Sequence, residues 1–499
     1  MSFPFGSLRV ITRRMQGRRH EVVILGGGLT GISTALHLRR RYWQLIEKEQ
    51  RLGGQATSDS RAGFTFDKTG HWLHLRDEHT KKLVASAFGN GMTSTERRAR
   101  IFANGVLTRY PFQANLHGQP PQVVEECLLG FIEAWLRRER ESRATPSVPD
   151  PDAPSSNDGS RDGSRARQSS SLSFEEFILE QFGPGIARHF MIPYNRKLWG
   201  VEPREMVASW CSRFVPKPCL REVVAGALGT LSAELGYNTS FLYPRAGGIE
   251  SFTRALVELL ATQQAGRGEI AVGASVDAVD LTRKEVWVGG ERLPYESLVS
   301  TLPLPELIGR IRELPAHIEQ WAAKLRWTRV RYLNVGAKSA PPADYHWIYV
   351  PEERYPFYRA GVYSNVAQSM APPGGSSLYV ELSLRGPRPT GAAVDSLVGE
   401  VTRALVCASA LRSVEDVVVA DLAELEYAYV IFDEHHAEAT RRILGWLSAN
   451  DVRSCGRYGS WTYNAMEDCI LAGRDTAVTL EQGPDELHGL ETTRGARGV

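Results

Sequence analysis

EVVILGGGLTGISTALHLRRRYWQLIEKE, residues 21–49, is the stretch on which the fold turns. An apolar run, Val22 to Leu25, meets a glycine turn. A stretch with amphipathic helical spacing follows, and a second short apolar run, Trp43 to Ile46, ends in Glu47. Strand, helix and strand in that order make a βαβ unit. Within its first turn, Gly26, Gly28 and Gly31 form G-x-G-x-x-G. The first glycine allows the tight turn, the second lets backbone approach a pyrophosphate, and the third lets helix and strand pack closely. The helix start then offers free N–H groups and the positive end of a dipole to phosphates. Glu47 closes the next strand, where a ribose hydroxyl is held in such folds. The motif alone is weak evidence; strand, turn, helix, strand and acid in sequence make it a dinucleotide site.

The chain of 499 residues is long enough for about two or three domains. Apolar residues make up 42% and charged residues 23%, the balance of a globular protein. A net charge of +2 argues against nucleic acid as the main partner, since no dense basic face is demanded. No apolar run reaches the ~18 residues of a membrane span, so no stable membrane insertion is expected. The six cysteines are scattered and form neither C-x-x-C nor a metal-like pair with histidine, which points to a reducing cytoplasm, no structural disulfides and no metal. The basic N-terminus lacks a continuous apolar segment and reads as a loose arm. Residues 122–141 have helical spacing. Residues 143–172 are rich in Ser, Pro, Asp and Arg and read as a mobile surface insertion. After it, Ser173 is placed to cap a helix with Glu176 three residues on. Residues 268–300 alternate like a β-meander, more strands follow over 327–385, and helices return at 393–411 and 437–449. The order suits an α/β nucleotide fold with a helical insertion and a second, antiparallel sheet.

A second glycine pair, Gly53-Gly54, follows in EKEQRLGGQATS (47–58), and LVSTLPLPEL (298–307) carries Thr301. These stretches resemble the flavin-binding signature of the amine oxidase and protoporphyrinogen oxidase group, which favours FAD over NAD. Narrower blocks follow in order: GFTFDKTGHWLH (63–74), TRYPFQANL (108–116), FMIPYNRKLWG from 190, GYNTSFLYPRAGGIESF (236–252), WIYVPEERYPFYRAGVYSN (347–365), EYAYVIFD (426–433) and GRYGSWTYNAMED (456–468). Together they resemble the UDP-galactopyranose mutase family, most nearly its eukaryotic-type branch, from about residue 20 to 480.

The resemblance implies a site residue by residue. Arg213 and Arg359 match two diphosphate-clamping arginines. Tyr349, Tyr429 and Tyr463 match tyrosines around the same group, and Asn238 a residue beside it or the sugar. Tyr110, Phe112 and Gln113 match the uracil-binding segment, and Asn195 and Trp199 residues beside nucleotide and galactose. Gly70 and His71 match a loop that shifts with flavin redox state, and Arg457 an arginine near flavin and sugar. His71, Arg213, Arg359 and Arg457 are thereby expected to be catalytic. Gly26, Gly28, Gly31, Glu47, Gly53, Gly54, Gly70 and Thr301 are expected to hold FAD. Arg97 is similar in place to a residue that contacts NADPH, the reductant the resemblance implies. The implied fold class is α/β: a Rossmann-like FAD-binding domain (19–100, 244–300, 452–485), a helical substrate domain (101–210) with the disordered insertion 143–172, and an antiparallel β-sheet domain (211–243, 301–451). The implied reaction interconverts pyranose and furanose forms of an NDP-sugar, UDP-galactose first, through a reduced-flavin N5–sugar adduct. It would serve cell-surface glycan biosynthesis from the cytoplasm.

The residues themselves agree with that chemistry. Planar guanidinium forks meet phosphate oxygens bidentately. Tyrosine hydroxyls add neutral donors, and Tyr110, Phe112 and Gln113 offer a flat face and an amide edge within four residues. Read alone, Arg359 in YPFYR also suits pairing with a core carboxylate, Trp199 suits plain packing, and His71 suits a core histidine. Two departures from the family stand out: Val366 replaces a tyrosine after Ser364-Asn365, and KTGH (68–71) replaces a Gly-Gly-His. The first removes a phosphate-directed hydroxyl and leaves a different NDP-sugar open. A second reading, an FAD-dependent oxidase or desaturase, shares the glycine motifs but has no need of the YPFQ segment or paired arginines. A third is a catalytically silent NDP-sugar binder.

Overall fold

The structure is a computed structural model that describes residues 9–10, 20–144, 172–231, 235–236, 239–383 and 387–482; for residues 9, 10, 144, 212 and 213 only the backbone is described. Residues 145–171 of the insertion and Asn238 therefore lie outside the described residues, as does the Arg213 side chain. The chain divides into two compact units. One comprises Met1–Thr95, Ser240–Trp327 and His435–Val499; the other comprises Glu96–Thr239 and Thr328–Glu434.

The first unit is built on a sheet of eight strands. Its parallel part runs Arg9–Val10, Gly268–Ala271, Trp43–Ile46, His20–Leu25, Glu291–Ser300, with Val452–Ser454 beside the last. The inner strands are buried along their length, as expected where helices cover both faces. Two expectations change here. Residues 268–300 are not one meander: Gly268–Ala271 joins the parallel sheet, and only Val276–Asp280, Glu285–Val288 and Glu291–Ser300 pair antiparallel. Alternation gives a strand's faces but not its partner, which long-range packing decides. The N-terminal arm is not wholly loose either, because Arg9 and Val10 pair with Glu269 and Ile270.

The helix Leu29–His37 lies against Met466–Glu481. Gly473 makes that approach possible, since a Cβ there would sit 2.4 Å from the Thr30 carbonyl oxygen. Residues 301–327 and 435–451, expected in the sheet domain, belong to this unit. Arg312 N donates to Val279 O at 2.9 Å, and the strand Val452–Ser454 extends the sheet.

The second unit contains a seven-stranded sheet in the order Val417–Val430, Trp327–Ala337, Ser376–Leu382, Phe357–Val362, Trp347–Tyr349, Ala99–Ala103, Val106–Arg109. The helical segment expected as a separate domain is part of the same unit. Its helices Pro121–Ala144 and Phe174–Ile186 pack closely, because a Cβ on Gly183 would lie 2.1 Å from Gly130 O. The first continues through Ala144, where the insertion was expected to have begun. The Ser173 cap is present: its Oγ accepts from Glu176 N at 3.2 Å, and the Glu176 carboxylate accepts from Ser173 N at 2.8 Å.

Side-chain alternation gives this sheet two unlike faces. Leu333, Val335, Ile348, Ala360, Val362, Leu378 and Val380 form a dry core with Val401 and Leu405 of the helix Ala392–Cys407. The opposite face is polar and aromatic. Cross-strand register aligns Tyr332, Glu381, Arg359 and Tyr349 in one row, and Asn334, Tyr379, Gly361 and Trp347 in the next.

Candidate functional site

In the first unit, the expected cofactor residues gather at the carboxyl ends of parallel strands, where ligands bind in open α/β sheets. His20–Leu25 runs into Gly26, whose φ of +96° only glycine adopts readily. Gly31 has no alternative: a Cβ there would lie 2.0 Å from Gly26 O. The second glycine pair returns to the same loop, Gly53 N donating to Gly27 O at 2.8 Å, and a Cβ on Gly54 would approach Gly28 Cα to 3.2 Å. Thr301, just past the neighbouring strand, donates from its hydroxyl to Leu25 O at 3.0 Å and Gly26 O at 3.1 Å.

Glu47 is buried at the end of its strand and does more than wait for a ribose. Its carboxylate accepts from Gly27 N at 2.6 Å and from Glu49 N at 2.9 Å. The acid thus fixes the glycine loop, and each oxygen keeps a lone pair for a ligand hydroxyl. Arg51 is taken up by Glu250 at 2.8 Å and Asp59 at 2.6 Å.

Gly70 and His71 follow the strand Phe64–Asp67, both half-buried, with His71 Nδ1 3.3 Å from Thr69 O. Asp67 anchors this loop's start. Burial pushes its carboxyl up to about 6, while Ser58 Oγ, Tyr243 Oη and Ile249 N donate to it and oppose the rise. Arg457 follows the strand Val452–Ser454. Its Nη1 donates to Asn464 O at 2.5 Å, and its guanidinium lies 4.6 Å from the Tyr463 ring centre. Gly456 beside it is essential to the approach, since a Cβ there would meet Thr30 Oγ1 at 2.4 Å.

In the second unit, Arg359 stands on the polar sheet face. Its guanidinium pairs with the carboxylate of Glu381, which is 1% exposed, and donates to Tyr429 Oη at 3.3 Å. Burial works against its charge, yet Glu381 and the surrounding tyrosines hold its proton well above the ordinary arginine range. The core-carboxylate pairing suggested by YPFYR alone is therefore real. Tyr349, beside Arg359 on the next strand, has its ring 5.1 Å from Tyr110 and 5.4 Å from Tyr194. Phe112 is fully buried with its ring 5.1 Å from Phe190. Gln113 is buried too: its amide nitrogen donates to Pro216 O at 2.9 Å, while its Oε1 has no hydrogen-bond partner among the described residues. A buried acceptor left open is costly unless a ligand or water meets it.

Asn195 and Trp199 share the helix Ile192–Trp199 and are satisfied largely by each other. Trp199 Nε1 donates to Asn195 Oδ1 at 3.2 Å, and Asn195 Nδ2 donates to Met191 O at 2.7 Å. Trp199 packs its ring 5.5 Å from Tyr429, as a wall of the aromatic cluster. Arg97 lies over Tyr110, 4.7 Å from its ring centre, and donates to Leu235 O at 2.7 Å. Val366 is half-buried, its N–H bonded to Tyr363 O at 2.8 Å. The structure thus brings Tyr110, Tyr349, Arg359, Tyr429 and Trp199 together within one unit.

Sequence reasoning missed Glu381, Tyr379 and Tyr194. Tyr379 and Glu381 stand two apart in SLYVEL, an alternation that puts a tyrosine and an acid on one strand face. The acid inside an otherwise apolar strand was the available signal. Among the described residues, no group of His, Cys, Asp and Glu could hold a metal ion, and no helix is long and apolar enough to cross a membrane.

Residues 24–87 match the model of an NAD(P)-binding Rossmann-like domain. Polyamine oxidase 2 of Arabidopsis thaliana is 38% identical over 63 residues, 12% of this chain and 13% of that protein's length. The match thus spans only a small part of either chain. Over nearly the whole chain, a crystal structure of reduced UDP-galactopyranose mutase superposes with a TM-score of 0.79 at 25% identity, covering 95% of each chain. The chain has the fold of the flavin-dependent amine oxidase superfamily. A putrescine oxidase structure shares that fold more distantly, with a TM-score of 0.60 at 16% identity, covering 93% of this chain and 99% of its own.

Proposed function

We propose that this protein is a flavin-dependent NDP-sugar mutase that interconverts pyranose and furanose forms, with UDP-galactose the first candidate. The observation that carries the reading is the polar sheet face of the second unit, where Arg359, Tyr349 and Tyr429 stand together beside Tyr110. One arginine and two hydroxyls suit a diphosphate, and the open acceptor on buried Gln113 suits the N–H edge of a pyrimidine. An amine substrate would find no such use for an arginine. The likeness to the mutase over 95% of both chains supports the same reading.

The glycine loops of the first unit fit a dinucleotide cofactor, because Gly28 and Gly54 leave backbone bare where side chains would stand. Gly26, Gly28, Gly31, Glu47, Gly53, Gly54 and Thr301 are the residues we assign to FAD. Bound and reduced, FAD supplies a nucleophile for the anomeric carbon of the sugar. The chain's own residues bind and orient. Arg359 and Tyr429 stabilise the negative charge that grows on the diphosphate as it leaves, and Tyr110, Phe112 and Gln113 hold the base. Arg213 and Asn238 complete the proposed clamp, Tyr463 is proposed to bind the same substrate, and Gly70, His71 and Arg457 are proposed to adjoin the flavin. NADPH is the proposed reductant and the cytoplasm the proposed compartment.

The test is chromatographic: UDP-galactofuranose is incubated with the holoenzyme, first oxidised and then chemically reduced. UDP-galactopyranose formed only by the reduced enzyme is the expected result. UDP binding without product would move the search to other NDP-sugars, and loss of both would favour the oxidase reading.

A further inference from the structure

Lys197 is a residue that the proposed chemistry does not use, and it is buried. It lies on the helix Ile192–Trp199, two residues from both Asn195 and Trp199, and is 6% exposed. Its ammonium donates to Val350 O at 2.9 Å, Glu352 O at 2.8 Å and Phe357 O at 2.5 Å. An ammonium has three donors, and three carbonyls converge on it, two from one short loop and the third from Phe357, which opens the next strand. That loop joins the strand Trp347–Tyr349 to the strand Phe357–Val362. Tyr349 ends the first strand and Arg359 lies early in the second.

The backbone between these strands leaves the ladder after Val350, whose N–H still bonds Tyr358 O at 2.8 Å. Beyond it the backbone meets the carbonyls only in part, Glu352 O accepting from Tyr355 N at 3.3 Å and Pro356 O from Ser383 N at 2.9 Å, and buried orphan carbonyls are strongly disfavoured. Lys197 supplies donors to Val350 O, Glu352 O and Phe357 O from a different element. The neighbouring contact between Arg196 and Glu353, 3.1 Å long, joins the same helix and loop, but both side chains are exposed. Exposed pairs contribute little.

We propose that Lys197 is a positioning residue: its ammonium fixes the 350–357 loop and thereby the spacing and direction of Tyr349 and Arg359. The proposal rests on the reading of that face as a diphosphate site. Its structural part, that Lys197 holds the hairpin, stands independently of the ligand.

The experiment compares Lys197→Met, Lys197→Arg and the surface control Arg196→Ala as full-length holoenzymes. Hydrogen exchange of residues 347–362 is measured on the folded protein, together with equilibrium binding of UDP and of uridine. Lys197→Met is expected to speed exchange in the hairpin by about tenfold or more and to weaken UDP by about tenfold, one decade being a single lost charged hydrogen bond. Uridine, which lacks the diphosphate, is expected to bind as before, and Arg196→Ala to change neither. Lys197→Arg keeps the charge but spreads its donors across a planar fork, and is expected to fall between wild type and Lys197→Met. It carries the test if Lys197→Met does not fold. Unchanged exchange in the hairpin, or equal weakening of UDP and uridine, overturns the proposal. If wild-type protein binds no UDP, the substrate reading fails, while the exchange measurement still decides whether Lys197 holds the hairpin.

Discussion

The glycine loop of the first unit and the polar sheet face of the second are built by opposite means. The loop offers backbone. Its glycines are required because a Cβ would strike Gly26 O or crowd Gly28, and its acid, Glu47, is spent partly on holding the loop itself. The sheet face offers side chains, and each comes from a different strand or helix: Tyr349, Arg359, Glu381, Tyr429 and Trp199. A backbone site tolerates almost no substitution but is local in sequence. A side-chain site is assembled by register, so single atoms can be removed from it without collapse, provided no buried charge is stranded.

That contrast orders the expected effects. Gly31→Ala should do the most damage to cofactor binding, because its methyl would lie 2.0 Å from the backbone oxygen of Gly26. Overpacking of this kind costs about 1–3 kcal/mol or more. The purified variant should lack flavin absorbance and melt earlier; full flavin occupancy would show that the loop yields where we hold it rigid.

Arg359→Ala should cost about 3–5 kcal/mol of stability, because it strands the buried Glu381 carboxylate. The double variant Arg359→Met, Glu381→Leu should regain much of that stability in a urea melt. It should still not bind UDP. A single variant as stable as wild type would mean that the pair is not a buried ion pair.

Acid should act through the first unit. His37 Nδ1 lies 2.7 Å from Ser33 O, to which it can only donate, and Nε2 lies 2.8 Å from His79 Nε2, where a neutral His37 accepts. Burial first, and the neighbouring His79, Arg39 and Arg474, lower His37 to about 4, although the Ser33 carbonyl opposes the shift. A folded value below the unfolded value of 6.5 contributes stability above pH 6.5 that is lost as the pH falls toward 4. The loss is on the order of 2–3 kcal/mol. Asp67, raised to about 6, has the opposite sign: its burden is present above pH 6 and relieved toward pH 4. His37→Gln should therefore flatten or invert the pH dependence of melting between pH 6.5 and 4, and an unchanged slope would exclude His37 as its source.

Ser173→Ala should have the smallest effect, about 1 kcal/mol, by removing one side of the capping box of a helix that carries none of the proposed ligand groups. A change in UDP affinity larger than the change in stability would contradict that separation.

The same contrast explains what was legible in the sequence. Gly26, Gly28, Gly31 and Glu47 declare themselves within 22 residues, because a backbone site requires local spacing. The Ser173 cap was readable for the same reason. Arg359 was conspicuous in YPFYR, but its partner Glu381 was not, since only strand register brings residues 22 apart face to face. Gly268–Ala271 reads in sequence as part of a meander because its alternation carries no record of the strand it joins. Lys197 reads as an ordinary basic residue in NRKLW, and only the three carbonyls that meet it give it a role.

The most direct test of the central claim is equilibrium binding of UDP against uridine, to wild-type holoenzyme and to the Arg359→Met, Glu381→Leu variant. If the polar sheet face reads a diphosphate, wild type binds UDP at least about tenfold more tightly than uridine, and the variant binds the two alike. Equal affinity of wild type for both ligands would contradict the account, because the arginine and tyrosines of that face would then be holding the sheet together and nothing more.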